Sequence, residues 1–286
     1  MKKSKGSEKL ILNIERTFCY ILLVLLSILC LFSFYVLIIN TTRSHPDIQK
    51  GFSLIPGKSF LVNLNNLLNN AQLPVVSGIC NSLIISTVAA ALATYFSTLT
   101  AFAIHAYDFK FKKYAFGFIM LIMMIPTQVS ALGFVKLMSD MGLMNSFIPL
   151  TVPTIASPVI FFFMKQYMSS ALPMDLVEAA RIDGAREFRI FNQIVLPIMK
   201  PAMAVQAIFT FVSSWNNYFI PALLLNKDSK KTLPILIAQL RSADFLKFDM
   251  GQVYMLIALA ILPVIIVYLF LSKNIVRGIT LGSVKG

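Results

Sequence analysis

The chain has 286 residues, of which 57% are hydrophobic and 13% charged, and its mean hydropathy is +0.78. So apolar a composition excludes a soluble fold of this size and marks an integral membrane protein, and apolar runs long enough to cross as helices make an all-α one the expectation. The net charge of +13 would suit nucleic acid, but the Lys and Arg are scattered over short segments between apolar runs. That distribution is a topology signal and excludes a nucleic-acid surface.

Lys2, Lys3, Lys5, Lys9 and Arg16 mark residues 1–17 as a basic N-terminus. The apolar run from Phe18 to Ile39 follows, and as a helix it would cover about 33 Å, enough to cross the hydrocarbon. It is longer than a signal-peptide core and lacks a small-residue cleavage site, so it is expected to stay as an anchor. Cys19, Cys30 and Cys80 lie within or at the ends of apolar runs, without metal-ligand spacing or a disulfide framework. They are expected to be small core hydrophobes.

A polar, Asn-rich loop from Asn40 to Ser77 contains Gly57-Lys58-Ser59. Gly51 stands one position too far upstream for a phosphate-binding loop, so no nucleotide site is expected there. In the second span, Gly78 to His105, the residues Ser82, Ser86, Ala90, Thr94 and Thr98 form a ridge of small side chains, which lets helices approach closely in lipid. After a basic turn with Lys110, Lys112 and Lys113 comes a third span, Tyr114 to Leu137, containing Pro126 and Gln128. The fourth, Phe147 to Tyr167, carries Pro149, Pro153 and Pro158. Each proline frees a carbonyl, so this span is expected to face protein or a water-filled pathway along part of its length.

The next segment, residues 173–201, is charged and helix-forming. Asp175 is placed to cap a helix from Leu176 to Asp183, with Glu178 closing a capping box. Gly184 supplies the left-handed turn that ends it. A second helix is expected from Ala185 to about Val195, ending before Pro197, with a stripe of Phe188, Phe191 and Ile194 or Val195 flanked by Arg186, Arg189 and Asn192. The physical pattern alone also fits a solvated loop between spans.

The fifth span is expected from Ala202 to Leu225, with Thr210, Ser213, Ser214 and Asn217 on one polar face and Pro221 freeing the Asn217 carbonyl. Trp215 and Tyr218 stand beside that face, which fits either a sugar-stacking surface or hydrogen bonding between helices. A polar loop from Asn226 to Gly251 leads to a sixth span, Gln252 to Ser272, and a tail, 273–286. Six spans put both termini on one side. Assigning that side to the cytosol places most of the 25 Lys and Arg there, together with the 173–201 segment. Lys227, Lys230, Lys231, Arg241 and Lys247 count against that orientation.

Glu178-Ala179-Ala180, three residues, Gly184, nine residues, Ile194, one residue, Leu196-Pro197 resembles the EAA loop of the membrane subunits of binding-protein-dependent ABC importers, with every position filled. Asn81-Ser82-Leu83-Ile84, Trp215-Asn216-Asn217 with Pro221, and the tail from Arg277 to Gly286 resemble the sugar branch, specifically its maltose- and multiple-sugar-type second permease subunit. Asn217 departs from that pattern, since many relatives carry an acidic residue there.

The resemblance implies a type I ABC importer fold with six transmembrane helices and a cytosolic coupling helix-turn-helix. It implies a carbohydrate cargo, an oligosaccharide by preference. Glu178, Ala179, Ala180, Asp183, Gly184, Ile194, Leu196 and Pro197 would couple to an ATPase, with Lys285 and Gly286 as further contacts. Asn81, Gln128, Ser213, Trp215, Asn217 and Tyr218 would line the substrate path. The implied partners are a homologous second permease in a heterodimer, two copies of a cytosolic ATPase, an extracytoplasmic sugar-binding protein and the lipid bilayer of a bacterial cytoplasmic membrane. The resemblance implies no metal, catalytic residue or cofactor in this chain, ATP and Mg being bound by the ATPase. A non-sugar importer permease, or a channel or scaffold, is the alternative. A membrane-embedded enzyme is disfavoured, because the spans hold no carboxylate pair and no HExxH.

Overall fold

The computed structural model describes residues 4–70, 73–241 and 249–283, with side chains between 12 and 271. Among them all regular structure is helical: α1 (Ser4–Thr41), α2 (His45–Gln49), α3 (Phe60–Leu68), α4 (Val75–Ala106), α5 (Lys112–Met123), α6 (Thr127–Asp140), α7 (Ile148–Thr151), α8 (Pro158–Ala171), α9 (Met174–Ile182), α10 (Glu187–Ile190), α11 (Leu196–Trp215), α12 (Phe219–Leu224), α13 (Leu233–Arg241) and α14 (Met250–Ser283). Five stretches are long and apolar enough to cross a membrane, or six when α5 and α6 count as one span.

The chain divides into two compact units, Met1–Asn69 with Ala243–Leu259, and Asn70–Ser242 with Ala260–Gly286. In the first, the most apolar 18-residue window of Leu12–Thr41 has a mean hydropathy of 3.0, and none of that window is buried within this chain. Cys19 and Cys30 on it are exposed, as is Cys80 on α4, which corrects their expected place in a core. In lipid an apolar side chain gains little by turning inward, so hydrophobicity does not predict burial.

The end of α1 is instead held by polar contacts. Arg43 is 8% exposed, and its guanidinium donates to Asn40 Oδ1 at 3.1 Å, to the Gly51 carbonyl at 2.9 Å and to the Asp47 carbonyl. Asn63 donates to the carbonyls of Thr41 and Arg43 at 2.8 and 2.9 Å. The Gly57-Lys58-Ser59 stretch serves this same knot: the Gly57 and Ser59 amides donate to the Thr42 hydroxyl and carbonyl. A Cβ on Gly57 would run into the Thr42 carbonyl and lie 3.0 Å from the Arg43 Cα, both backbone atoms with little room to yield. Gly57→Ala is therefore expected to cost about 1–3 kcal/mol, read as a lower melting temperature of the purified protein. Gly117→Ala, with open space around it, should leave melting unchanged; equal melting of both variants would mean the knot yields.

The second unit is built on α4, which packs against α8 and α11. The expected ridge is buried: Ser82, Ser86, Ala90, Thr94 and Thr98 are all at most 7% exposed. Thr94 and Thr98 bond back to the carbonyls four residues earlier, at 2.7 and 2.6 Å, so their hydroxyls enter the interface satisfied. Ser82 Oγ accepts from the Leu233 amide at 2.8 Å, tying α13 to α4.

The third span is broken. α5 and α6 meet at 96°, and Pro126 between them has φ −63° and ψ 128°. A proline donates no hydrogen bond and pushes the residue before it out of helix, so the third span expected from Tyr114 to Leu137 is bent at Pro126 into two helices. The fourth span is also segmented: α7, a 3-10 turn at Val152–Ile155, an extended Ser157, then α8. Pro149, Pro153 and Pro158 each sit in the opening residues of a segment, where no amide hydrogen is needed. Asn145, at φ 58°, accepts from the amides of Asn226 and Lys227 at 2.7 and 2.8 Å and fixes the loop after α12.

Candidate functional site

α9 starts two residues earlier than the capping signal suggests, at Met174. Pro173, in extended conformation, precedes it with no side-chain cap, and Asp175 lies inside the first turn. Asp175 therefore faces the positive end of the helix dipole rather than capping it, and the Asp175–Glu178 capping box does not form. The other end matches expectation. Gly184 has φ +76°, its amide donates to the Arg181 carbonyl at 3.0 Å, and the Ala185 amide donates to the Ala180 carbonyl at 3.0 Å. This pair of bonds is the Schellman motif, which needs a left-handed residue where Gly184 stands.

Beyond the turn, α10 does not stop before Pro197. A π turn at Phe191–Val195 joins it to α11, and Glu187–Trp215 runs as one candidate span of 29 residues. The Leu196 amide reaches back to the Phe191 carbonyl. Pro197 lacks an amide hydrogen and crowds the carbonyl four residues before it, and the widened turn just ahead of it accommodates both effects without ending the helix.

Inward, the helix pair buries Val177, Ile190, Phe191 and Val195 at 0–1% exposure against Phe102, Met164 and Met168. Ala180 is buried too, at 8%, whereas Ala179 is exposed, so the two alanines do different things. Ile194 and Leu196 pack partly buried on the same core, and Pro197 is exposed. Outward stands an apolar crest: Leu176 at 47%, Ile182 at 86% and Phe188 at 67% exposed, with Glu178, Asp183 and Gly184 exposed beside it.

Three residues brace the turn. Arg181 Nε donates to Glu187 Oε1 at 2.7 Å, the Tyr107 hydroxyl donates to Glu187 Oε2, and the guanidinium lies 5.2 Å from the Tyr107 ring centre. The Glu187 carboxylate raises the Arg181 pKa above the ordinary arginine range, keeping it charged. Sequence reasoning missed this brace, because Tyr107 and Glu187 are far apart along the chain.

The substrate-path candidates are not gathered together. Trp215 is 2% exposed, stacks on Phe211 at 5.8 Å and donates its indole hydrogen to the Ala260 carbonyl at 3.1 Å, so it offers no face to a sugar. Asn81 donates to the Ser229 and Lys231 carbonyls at 3.0 and 2.9 Å and holds the loop before α13. α11 ends at Trp215, and Asn217 falls in the connection to α12, so the expected face shared with Thr210, Ser213 and Ser214 is interrupted. Pro221, inside α12, has no amide hydrogen to donate to the Asn217 carbonyl, which leaves that carbonyl outside the helix. Ser213, Gln128 and Tyr218 are exposed. Among the described residues no cluster of His, Cys, Asp and Glu has the makings of a metal site. Lys285 and Gly286 lie outside the described residues.

Residues 97–281, which include the whole turn, match the family described as binding-protein-dependent transport system inner membrane component. The chain belongs to this family. As a permease it is 34% identical over 268 residues to the arabinooligosaccharides transport system permease protein AraQ of Bacillus subtilis strain 168, covering 92% of this chain and 93% of that one. It is 31% identical to the lactose transport system permease protein LacG of Rhizobium radiobacter, covering 93% and 95%. It is 30% identical to the sn-glycerol-3-phosphate transport system permease protein UgpE of Yersinia pestis bv. Antiqua, covering 92% and 95%. The permease also matches a chain in the crystal structure of a bacterial ABC transporter involved in the import of the acidic polysaccharide alginate, with TM-score 0.78, 21% identity and coverage of 90% and 96%. That likeness establishes the type I importer fold.

Proposed function

We propose that this permease carries a carbohydrate, an oligosaccharide by preference, through the membrane of an ATP-driven importer. The activities named for its relatives support the cargo. The observation that carries the coupling is the crest of Leu176, Ile182 and Phe188, three large apolar side chains held out on a rigid turn. An apolar ridge rimmed by Glu178 and Asp183 fits a groove on a separate protein.

In this reading the occupant is an ABC ATPase, present in two copies, which binds the ATP and Mg; this chain has no ATPase site of its own. A homologous second permease completes a heterodimer, and an extracytoplasmic sugar-binding protein delivers the cargo. The assembly sits in a bacterial cytoplasmic membrane with both termini cytosolic. Lys285 and Gly286 add contacts to the ATPase.

When ATP closes the ATPase dimer, the docked crest moves with it. Arg181–Glu187 links α9 to the foot of the long helix, which reaches about 43 Å and ends at the Trp215 break. ATP can bias the switch only because the two states dock differently. Glu187→Ala is expected to leave ATPase binding intact while the sugar imported per ATP hydrolysed falls severalfold, with Glu187→Gln in between. An exposed ion pair is worth about 0–1 kcal/mol, so the readout is coupling rather than stability. An unchanged ratio would remove the brace from the mechanism.

Purification from native membrane tests the whole reading. Recovery of an ATPase and a second permease supports it, and the accompanying binding protein is then screened against oligosaccharides. A binding protein that takes only a phosphorylated polyol would replace the cargo with one like that named for the sn-glycerol-3-phosphate relative.

A further inference from the structure

A recess of about 540 Å³ opens where α4, α5 and α8 meet, and its lining carries Lys110, Lys112, Lys113, Lys165 and His105 with no carboxylate among the described lining residues. We infer that this recess binds the phosphate of an anionic phospholipid. Three observations converge on that ligand.

The first is unbalanced charge. Lys112 pairs with Asp108 at 2.9 Å, but that carboxylate is fully exposed, and such pairs are weak. Among the described residues Lys165 Nζ donates only to the Ser169 hydroxyl, at 2.9 Å. Lys110 and Lys113 are exposed and form no ion pair among the described residues. Ammonium groups converging from a loop and two helices repel one another unless an anion lies between them.

The second is the wall. Ile104, Phe109 and Phe116 line the same recess, giving an acyl chain an apolar surface directly beside the cationic rim. Inorganic phosphate or a nucleotide would leave that wall unused. The third is position. α4 and α8 are candidate spans, and the recess lies at the end of one and beside the other. Phe109 lines the recess and is exposed, and exposed Tyr114 follows Lys113 of its rim directly in the chain, a ring of the kind enriched where a membrane meets water. Basic pockets between spanning helices at that level suit lipid headgroups. The lipid would fix the depth of the Lys110–Lys113 turn, which lies just beyond Tyr107 of the brace.

The test uses the assembled transporter in nanodiscs of mixed phosphatidylglycerol and phosphatidylcholine, followed by native mass spectrometry of the lipid retained. Removing one lysine costs about fivefold in lipid affinity. The variant carrying Lys110→Gln, Lys112→Gln and Lys113→Gln should therefore lose about a hundredfold. Lys165→Gln alone, on α8, should show the single-lysine loss, and Lys136→Gln, on α6 and outside the recess, should retain phosphatidylglycerol like the wild type. Equal retention by the triple variant overturns the site. Displacement of the lipid by millimolar inorganic phosphate assigns the recess to a soluble anion and overturns the lipid reading.

Discussion

Ile182→Glu is expected to abolish association with the ATPase while the permease itself folds and inserts normally. The side chain is 86% exposed and contributes nothing to its own core, so its removal takes little from the chain. In a docked complex it would be the most prominent part of the crest. Burying an isoleucine is worth about 1.5–3 kcal/mol, and leaving a carboxylate unpaired in an apolar groove costs further kcal/mol. Together these weaken binding by about a thousandfold or more. Co-purification from membranes, with thermal unfolding of the isolated permease as control, measures both halves. An Ile182→Glu permease that still recovers its ATPase would move the docking surface away from the crest.

Gly184→Val is expected to reduce uptake at least about tenfold, by a different route. A Cβ at Gly184 has nothing within 4 Å, so space is not the obstacle. The obstacle is φ +76°, which costs an L-residue about 1–2 kcal/mol and is worst for a β-branched side chain. The chain relieves that strain by leaving the left-handed region, and the bonds from Gly184 and Ala185 back to Arg181 and Ala180 go with it. Leu176 and Ile182 on one side of the turn then no longer share a surface with Phe188 on the other. Gly184→Asn should be milder, since asparagine tolerates this conformation. Uptake and ATP hydrolysis in proteoliposomes separate the outcomes: hydrolysis without uptake is expected of Val, and normal uptake would show that the turn is not needed.

The turn was legible because its requirement is local. A glycine between two helical patterns has one common use, and neighbours within a few residues set it. The start of α9 does not follow the same local logic: Asp175 is a good capping residue, but the helix already begins at Met174, right after the extended Pro173. Pro197 and Pro126 show why local signals run out. Both are prolines in apolar segments, yet one is absorbed by a π turn inside a continuous helix and the other marks a 96° break. Which occurs depends on what the helix packs against, and sequence neighbours do not carry that. The brace of Tyr107, Arg181 and Glu187, the clamp of Asn81 on the loop before α13, and the stacking of Trp215 on Phe211 are tertiary for the same reason. Trp215 was the more misleading case, because a tryptophan beside polar residues looks like a binding surface until its indole hydrogen is found donated to Ala260.

The contrast between α1 and α4 has an evolutionary consequence. None of the most apolar window of Leu12–Thr41 is buried by this chain, against 44% for Val75–Ala106. Within this polypeptide, selection on the first helix ahead of its polar end at Asn40 and Thr41 sees chiefly length and greasiness, so the residues of that window are free to exchange among leucine, isoleucine, valine and phenylalanine. On the second, where Ala89 and Ala93 have no exposed surface, one added methylene meets a neighbour. The anchor should drift quickly between related transporters while the small-residue ridge stays nearly fixed, although a hydropathy plot ranks the anchor the stronger span, at 3.0 against 1.9 for their most apolar windows.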